Sequence, residues 1–81
     1  MEIGKKLKEA RLNKDLTQEV IAEKLNVSRQ TISNWENEKS YPDIISVIEL
    51  SNLYSISLDD LLKGDDEMME HLQESTNVVK S

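Results

Sequence analysis

Residues that start and stop helices recur at such short intervals along this chain that only short helices fit between them. Asn13-Lys14-Asp15, Asn26, Tyr41-Pro42 and Gly64 read as stops, while Thr17, Ser28, Asp43 and Ser57 read as N-caps. Ile3, Leu7, Ala10 and Arg11 lie at three-to-four-residue spacing with lysines between them, which predicts an amphipathic first helix. Thr17 before Gln18-Glu19 opens a second helix through Val20, Ile21, Ala22 and Leu25, with an acid in its first turn. That helix must be short, because Asn26 tolerates φ > 0 and Ser28 offers a new cap two residues later. The third helix, from about Arg29 to Asn37, turns Ile32 and Trp35 inward and leaves Arg29, Gln30, Ser33 and Asn34 outward.

Pro42 cannot continue a helix, so a fourth begins after Asp43. Its inward stripe is Ile44 or Ile45, Val47 or Ile48, then Leu50, Leu53 and Tyr54. Ser57-Leu58-Asp59-Asp60 has the shape of a capping box and opens a short fifth helix that ends at Lys63-Gly64. Beyond it, Asp65-Asp66-Glu67 either starts another helix through Met68, Met69 and Leu72 or belongs to a loose tail, and both readings stay open. From Ser75 the pattern fades. The predicted organisation is an all-α domain over residues 1–64 and an acidic C-terminal tail over 65–81. The ending NVVKS has no stop logic, so two readings of the tail stay open, a part-helical end and a linker to a further domain in a longer protein.

A chain of 81 residues has room for one core only. The absence of cysteine removes disulfides and thiolate metal sites. No uninterrupted apolar run exceeds three residues, so neither a membrane span nor a secretory segment is present in the sequence given. The net charge of −6 at first argues against an anionic partner. Yet residues 1–39 carry eight Lys/Arg against seven Asp/Glu, whereas residues 40–81 carry two against nine. The acidity is local to the second half.

Enzyme chemistry finds no foothold. There is no Ser-His-Asp arrangement, no phosphate-cradling glycine loop and no H-E-x-x-H, and no cofactor is expected. His71 is the only histidine and has no second metal ligand within helical reach. Asp59, Gly64 and Glu70 do fall at positions 1, 6 and 12 of a calcium loop, but Leu61 and Lys63 then occupy ligand positions and cannot bind the ion. No metal site is expected.

Two short helices joined by a tight turn make a helix-turn-helix corner, and its physical demands are met here in order. Ala22 is small where the two helices must cross closely. Asn26 stands four residues later, where the turn needs a left-handed residue. Ile32 comes six residues further on and plugs the angle, with Ile21, Leu25, Val27 and Trp35 closing the core.

On these residues the stretch Thr17 to Glu36, TQEVIAEKLNVSRQTISNWE, resembles the phage-repressor (lambda and Cro-like) helix-turn-helix family, also called the XRE family. The likeness runs from Ile3 to about Leu62, through PDIISVIELSNLYSISLDDLL, and so covers about three quarters of the chain. The resemblance implies a compact five-helix, lambda-repressor-like fold that binds double-stranded operator DNA, acts as a homodimer and works in the cytoplasm of a bacterium or phage host. It implies a transcriptional regulator, with repression as the expected sign. The third helix becomes the recognition helix, spanning about residues 28–37 and lying in the major groove. Ser28, Arg29, Gln30 and Asn34 take positions that the family uses at base edges, and their chemistry suits that role. Gln18, Thr31, Ser33, Asn37 and Lys39 match backbone-contacting positions. Arg11 and Glu36 match a pair that ties the first helix to the end of the third. Leu58 and the fifth helix resemble the region where family members pair.

The chain also departs from the family pattern. Asn26 stands where glycine is usual, Val20 where a capping-box Glu is often found, and Glu38-Lys39-Ser40-Tyr41 lacks the arginines that some relatives aim at the minor groove. Weaker backbone affinity is expected from the last of these. A second reading, from a different class, is an antitoxin-like or adaptor module whose Met68, Met69 and Leu72 edge binds another protein, with DNA binding secondary.

Overall fold

The computed structural model describes residues 3–76. Among them the chain forms six helices and no strand: α1 (Ile3–Asn13), α2 (Gln18–Leu25), α3 (Arg29–Glu36), α4 (Ile44–Tyr54), α5 (Leu58–Leu62) and α6 (Asp66–Thr76). The first five are those expected of the family resemblance. α6 occupies the stretch for which a helix and a loose tail were both open. The ending NVVKS lies outside the described residues.

One core serves all six helices. Ile3 and Leu7 from α1, Ile21 from α2, Ile32 and Trp35 from α3, Val47 and Leu50 from α4, Leu61 from α5 and Met68 and Leu72 from α6 belong to a single buried cluster. Removing each large apolar side chain from water stabilises the fold by about 1.5–3 kcal/mol. Met68 and Leu72 are therefore used within the molecule, and of the acidic segment's apolar edge Met69 alone stays exposed. On α4 the inward positions are Val47, Leu50 and Tyr54, with Ile44 and Leu53 half-buried. Ile45, at 60% exposure, and Ile48 face outward.

α1 to α4 all end in the same way. The residues Asp15, Asn26, Glu38 and Ser55 take positive φ, between 56° and 61°. At each stop the next residue's N–H reaches back to a carbonyl five positions earlier: Leu16 to Arg11, Val27 to Ala22, Lys39 to Asn34 and Ile56 to Ser51. This is the Schellman stop, which satisfies carbonyls that a helix end would otherwise leave without partners. None of the four positions is glycine, so each carries the steric cost of a side chain in the left-handed region, about 1–2 kcal/mol. Ser55→Gly is expected to raise the unfolding free energy by about 0.5–1 kcal/mol after the looser unfolded chain is counted. Urea unfolding with an unchanged or lower midpoint would contradict strain at this stop.

The starts are equally local. Thr17, Ser28 and Ser57 accept N–H bonds from Val20, Thr31 and Asp60 through their side-chain oxygens. Asp43 holds the N-cap position of α4 but bonds differently: its carboxylate accepts the Ser46 hydroxyl at 2.6 Å. That bond is the first cause holding the Asp43 carboxyl below the usual aspartate range.

Two long-range ties join α1 to the segment that runs from α5 to the start of α6. Asp65, 2% exposed, accepts the Met68 N–H at 3.0 Å through one oxygen and the Ile3 N–H at 2.9 Å through the other. One carboxylate thus satisfies N-terminal donors of both α1 and α6. Lys6 Nζ donates to the carbonyls of Asp60 and Lys63 at the end of α5, where a cation is favoured.

Candidate nucleic-acid interface

The corner between α2 and α3 positions every residue of the candidate interface. Asn26 adopts φ 58° and ψ 44°, and its N–H reaches Ala22 and Glu23 carbonyls, so α2 stops and the chain turns. Ser28 then caps α3 two residues later. Ala22, Ile32 and Trp35 are buried at the corner, with Leu25 and Val27 half-buried against the core.

With Ile32 and Trp35 inward, the opposite side of α3 is polar. Ser28, Arg29 and Gln30 are exposed at its N-terminus, and Asn34 is half-buried one turn later. Gln30 Nε2 donates to Asn34 Oδ1 at 3.0 Å, which sets these two amides side by side on one face. The Ser28 hydroxyl is engaged in the cap and lies 2.9 Å from Thr31 Oγ1. Asn37 Nδ2 donates to Ser33 Oγ at 3.1 Å, and Lys39 is exposed just beyond the helix.

The electrostatics of this face follow from what has been turned away from it. Glu36 is the one acid of α3, and it is buried at 7% exposure. Its carboxylate accepts Arg11 Nε at 2.8 Å and Arg11 Nη2 at 3.0 Å, a two-pronged pair. Arg11 Nη1 continues to the Leu16 carbonyl at 2.9 Å. The hydrogen bond to Glu36 is the leading reason that the Arg11 guanidinium holds its proton more tightly than usual. Nearby Tyr54 is pushed well up, first by burial and then by the Glu36 carboxylate. The outward side of α3 therefore presents a guanidinium, amides and hydroxyls, with no carboxylate among residues 28–35.

Gln18 opens α2 beside this surface. Its Nε2 donates to Glu36 Oε1 at 3.0 Å, and its Oε1 accepts from Arg29 Nη1 at 3.3 Å. The structure thus joins Arg11, Glu36, Gln18 and Arg29 in one chain of bonds, while Asn37 and Lys39 stand apart from it. Two residues that shape the corner escape sequence reasoning. Gly4 lets α1 approach the end of α3, where a Cβ would lie 2.6 Å from the Glu36 carbonyl oxygen. Glu38 takes φ 61° to stop α3. A glycine inside an amphipathic helix was the available signal for the first; a glutamate gives none for the second.

Two eight-residue helices joined through a left-handed Asn26, the second with a carboxylate-free outer face, make a helix-turn-helix module. Residues 7–61 match the helix-turn-helix family, and the chain belongs to it, in the XRE type. It is 46% identical over 66 residues to the HTH-type transcriptional activator BcrR of Enterococcus faecalis, covering 82% of this chain and 32% of that protein. It is 47% identical over 68 residues to the HTH-type transcriptional regulator ImmR of Bacillus subtilis, covering 84% of this chain and 53% of that protein. The chain therefore spans about a third of one relative and about half of the other.

Proposed function

We propose that this chain is a sequence-specific double-stranded DNA-binding transcriptional regulator that lays α3 in the major groove. The observation that carries the reading is the outer face of α3: Arg29, Gln30 and Asn34 are presented together, while Glu36 is turned inward onto Arg11. Arg pairs with guanine O6 and N7, and Gln or Asn with adenine N6 and N7. Ser28 joins them at the base edges, and Gln18, Thr31, Ser33, Asn37 and Lys39 meet the sugar-phosphate backbone. The names of BcrR and ImmR support regulation of transcription as the purpose.

Selection from randomised duplex DNA at ~50 mM salt, where backbone contacts are strong, tests this. The wild-type chain is expected to enrich a defined motif. Arg29→Ala is expected to lose about 1–3 kcal/mol of discrimination at one base pair and to relax the motif there. An unchanged motif would refute base reading by Arg29.

We propose that the chain acts as a homodimer, with two α3 helices ~34 Å apart on a roughly palindromic site. A groove of about 440 Å³, lined by Leu58, Asp59, Leu62, Lys63, Gly64 and Met69, suits a second copy in the region of α5. Met69→Asp is expected to convert the dimer to monomer in sedimentation and to weaken operator binding. A variant that stays dimeric would move the pairing surface elsewhere. Occlusion of promoter DNA requires only binding, so repression is the proposed sign, in the bacterial cytoplasm. One relative is nevertheless named an activator.

A further inference from the structure

The bond chain behind Arg29 has a direction. A carboxylate can only accept hydrogen bonds, a guanidinium can only donate them, and a glutamine amide has one end of each kind. Arg11 donates twice to Glu36, at 2.8 and 3.0 Å. Glu36 Oε1 then accepts the Gln18 amide nitrogen at 3.0 Å. That leaves the Gln18 oxygen toward Arg29, whose Nη1 donates to it at 3.3 Å. With the amide turned about, oxygen would face carboxylate oxygen and nitrogen would face guanidinium. Both contacts would be repulsive.

We infer that Glu36 is a positioning residue for base reading: it fixes which end of the Gln18 amide faces Arg29, and Gln18 in turn holds one edge of the Arg29 guanidinium. The inference rests on the proposal that Arg29 meets a base. Arg11 and Glu36 are buried and Gln18 is half-buried, whereas Arg29 is exposed, so the relay runs from the core to the surface. A long exposed side chain loses rotamer freedom when it docks. Holding it beforehand is worth about two- to tenfold in affinity. That advantage reaches only DNA whose base accepts the guanidinium, so it enters the specificity ratio rather than affinity for every duplex.

The test uses the full chain, the duplex enriched from the randomised library, and that duplex altered at the base pair which Arg29→Ala ceases to discriminate. Three changes are compared: Gln18→Met, Glu36→Gln, and Arg11→Met/Glu36→Met, which removes the ion pair as a unit. The readout is the ratio of affinities for the two duplexes. Each change is expected to lower that ratio by about two- to tenfold. Adding either Glu36 change to Gln18→Met is expected to lower it no further, since both act along one path. An ion pair that merely holds the fold would alter both affinities by the same factor and leave the ratio intact.

Gln18→Met alone preserving the ratio overturns the inference, however the Glu36 variants fold. So does a further loss when the changes are combined. If Arg29→Ala itself leaves the motif unchanged, base reading falls and the relay with it. If Arg29→Ala relaxes the motif while the Gln18 and Glu36 changes do not, the relay alone falls.

Discussion

Glu36→Ala is expected to lower the unfolding free energy by about 3–5 kcal/mol, because it leaves a buried guanidinium without its counter-charge. Arg11 is 8% exposed and lies among the buried residues of α1, with Ile3, Leu7 and Ala10. Its remaining bond, to the Leu16 carbonyl, satisfies one nitrogen and supplies no negative charge. A domain of 81 residues has a total stability of about 4–12 kcal/mol, so the variant is expected to sit near the edge of folding. Replacing both partners with methionine is expected to cost far less, since buried pairs are often matched by apolar residues of similar size. Urea unfolding of the three proteins checks both statements. A loss of only about 1 kcal/mol in Glu36→Ala would mean that water reaches the pair and screens it as it does a surface pair.

Gly4→Ala is expected to destabilise by about 1–3 kcal/mol, against the helix propensity scale. Alanine in place of a helix glycine ordinarily stabilises, by up to about 1 kcal/mol in a helix interior and by less in a first turn such as that of Gly4. Here the added Cβ would lie 2.6 Å from the Glu36 carbonyl oxygen and 2.7 Å from that of Trp35. These are backbone atoms at the end of α3, and they cannot rotate away as the nearby Glu38 side chain can. α1 must then shift outward, drawing Ile3 and Leu7 from the core and disturbing Arg11 on the same helix. The sign makes the measurement sharp. A more stable Gly4→Ala protein would contradict the close approach of α1 to α3.

What could be read in the sequence is what local chemistry dictates. Thr17, Asn26, Ser28 and Ser57 act within three or four residues of themselves, and their types announce the part they play. The α2–α3 corner was legible for that reason. Ile45 and Ile48 were not assignable, because α4 is apolar on most of its circumference and only its packing partners decide which isoleucine turns inward. Asp65 was hidden differently. It resembles its acidic neighbours, yet its bond to the Ile3 N–H spans 62 residues. Local pattern says nothing about a tie of that length.

At the candidate interface the residue types on α3 were legible from the phase of Ile32 and Trp35. The bonds between them were not, since Gln18, Arg29 and Glu36 meet only after α1, α2 and α3 have packed. Glu38 and Ser55 illustrate the same limit at the level of backbone. Neither residue favours positive φ, and each adopts it because the helices on both sides fix the turn.

Amide chemical-shift mapping of the chain with its selected duplex locates the surface that meets DNA, which we propose is α3. Large shifts are expected at residues 28–37, at Gln18 and at Lys39, with the guanidinium signal of Arg29 slowed in exchange. Shifts centred on α4, or on α5 and α6, with residues 28–37 unmoved, would contradict it.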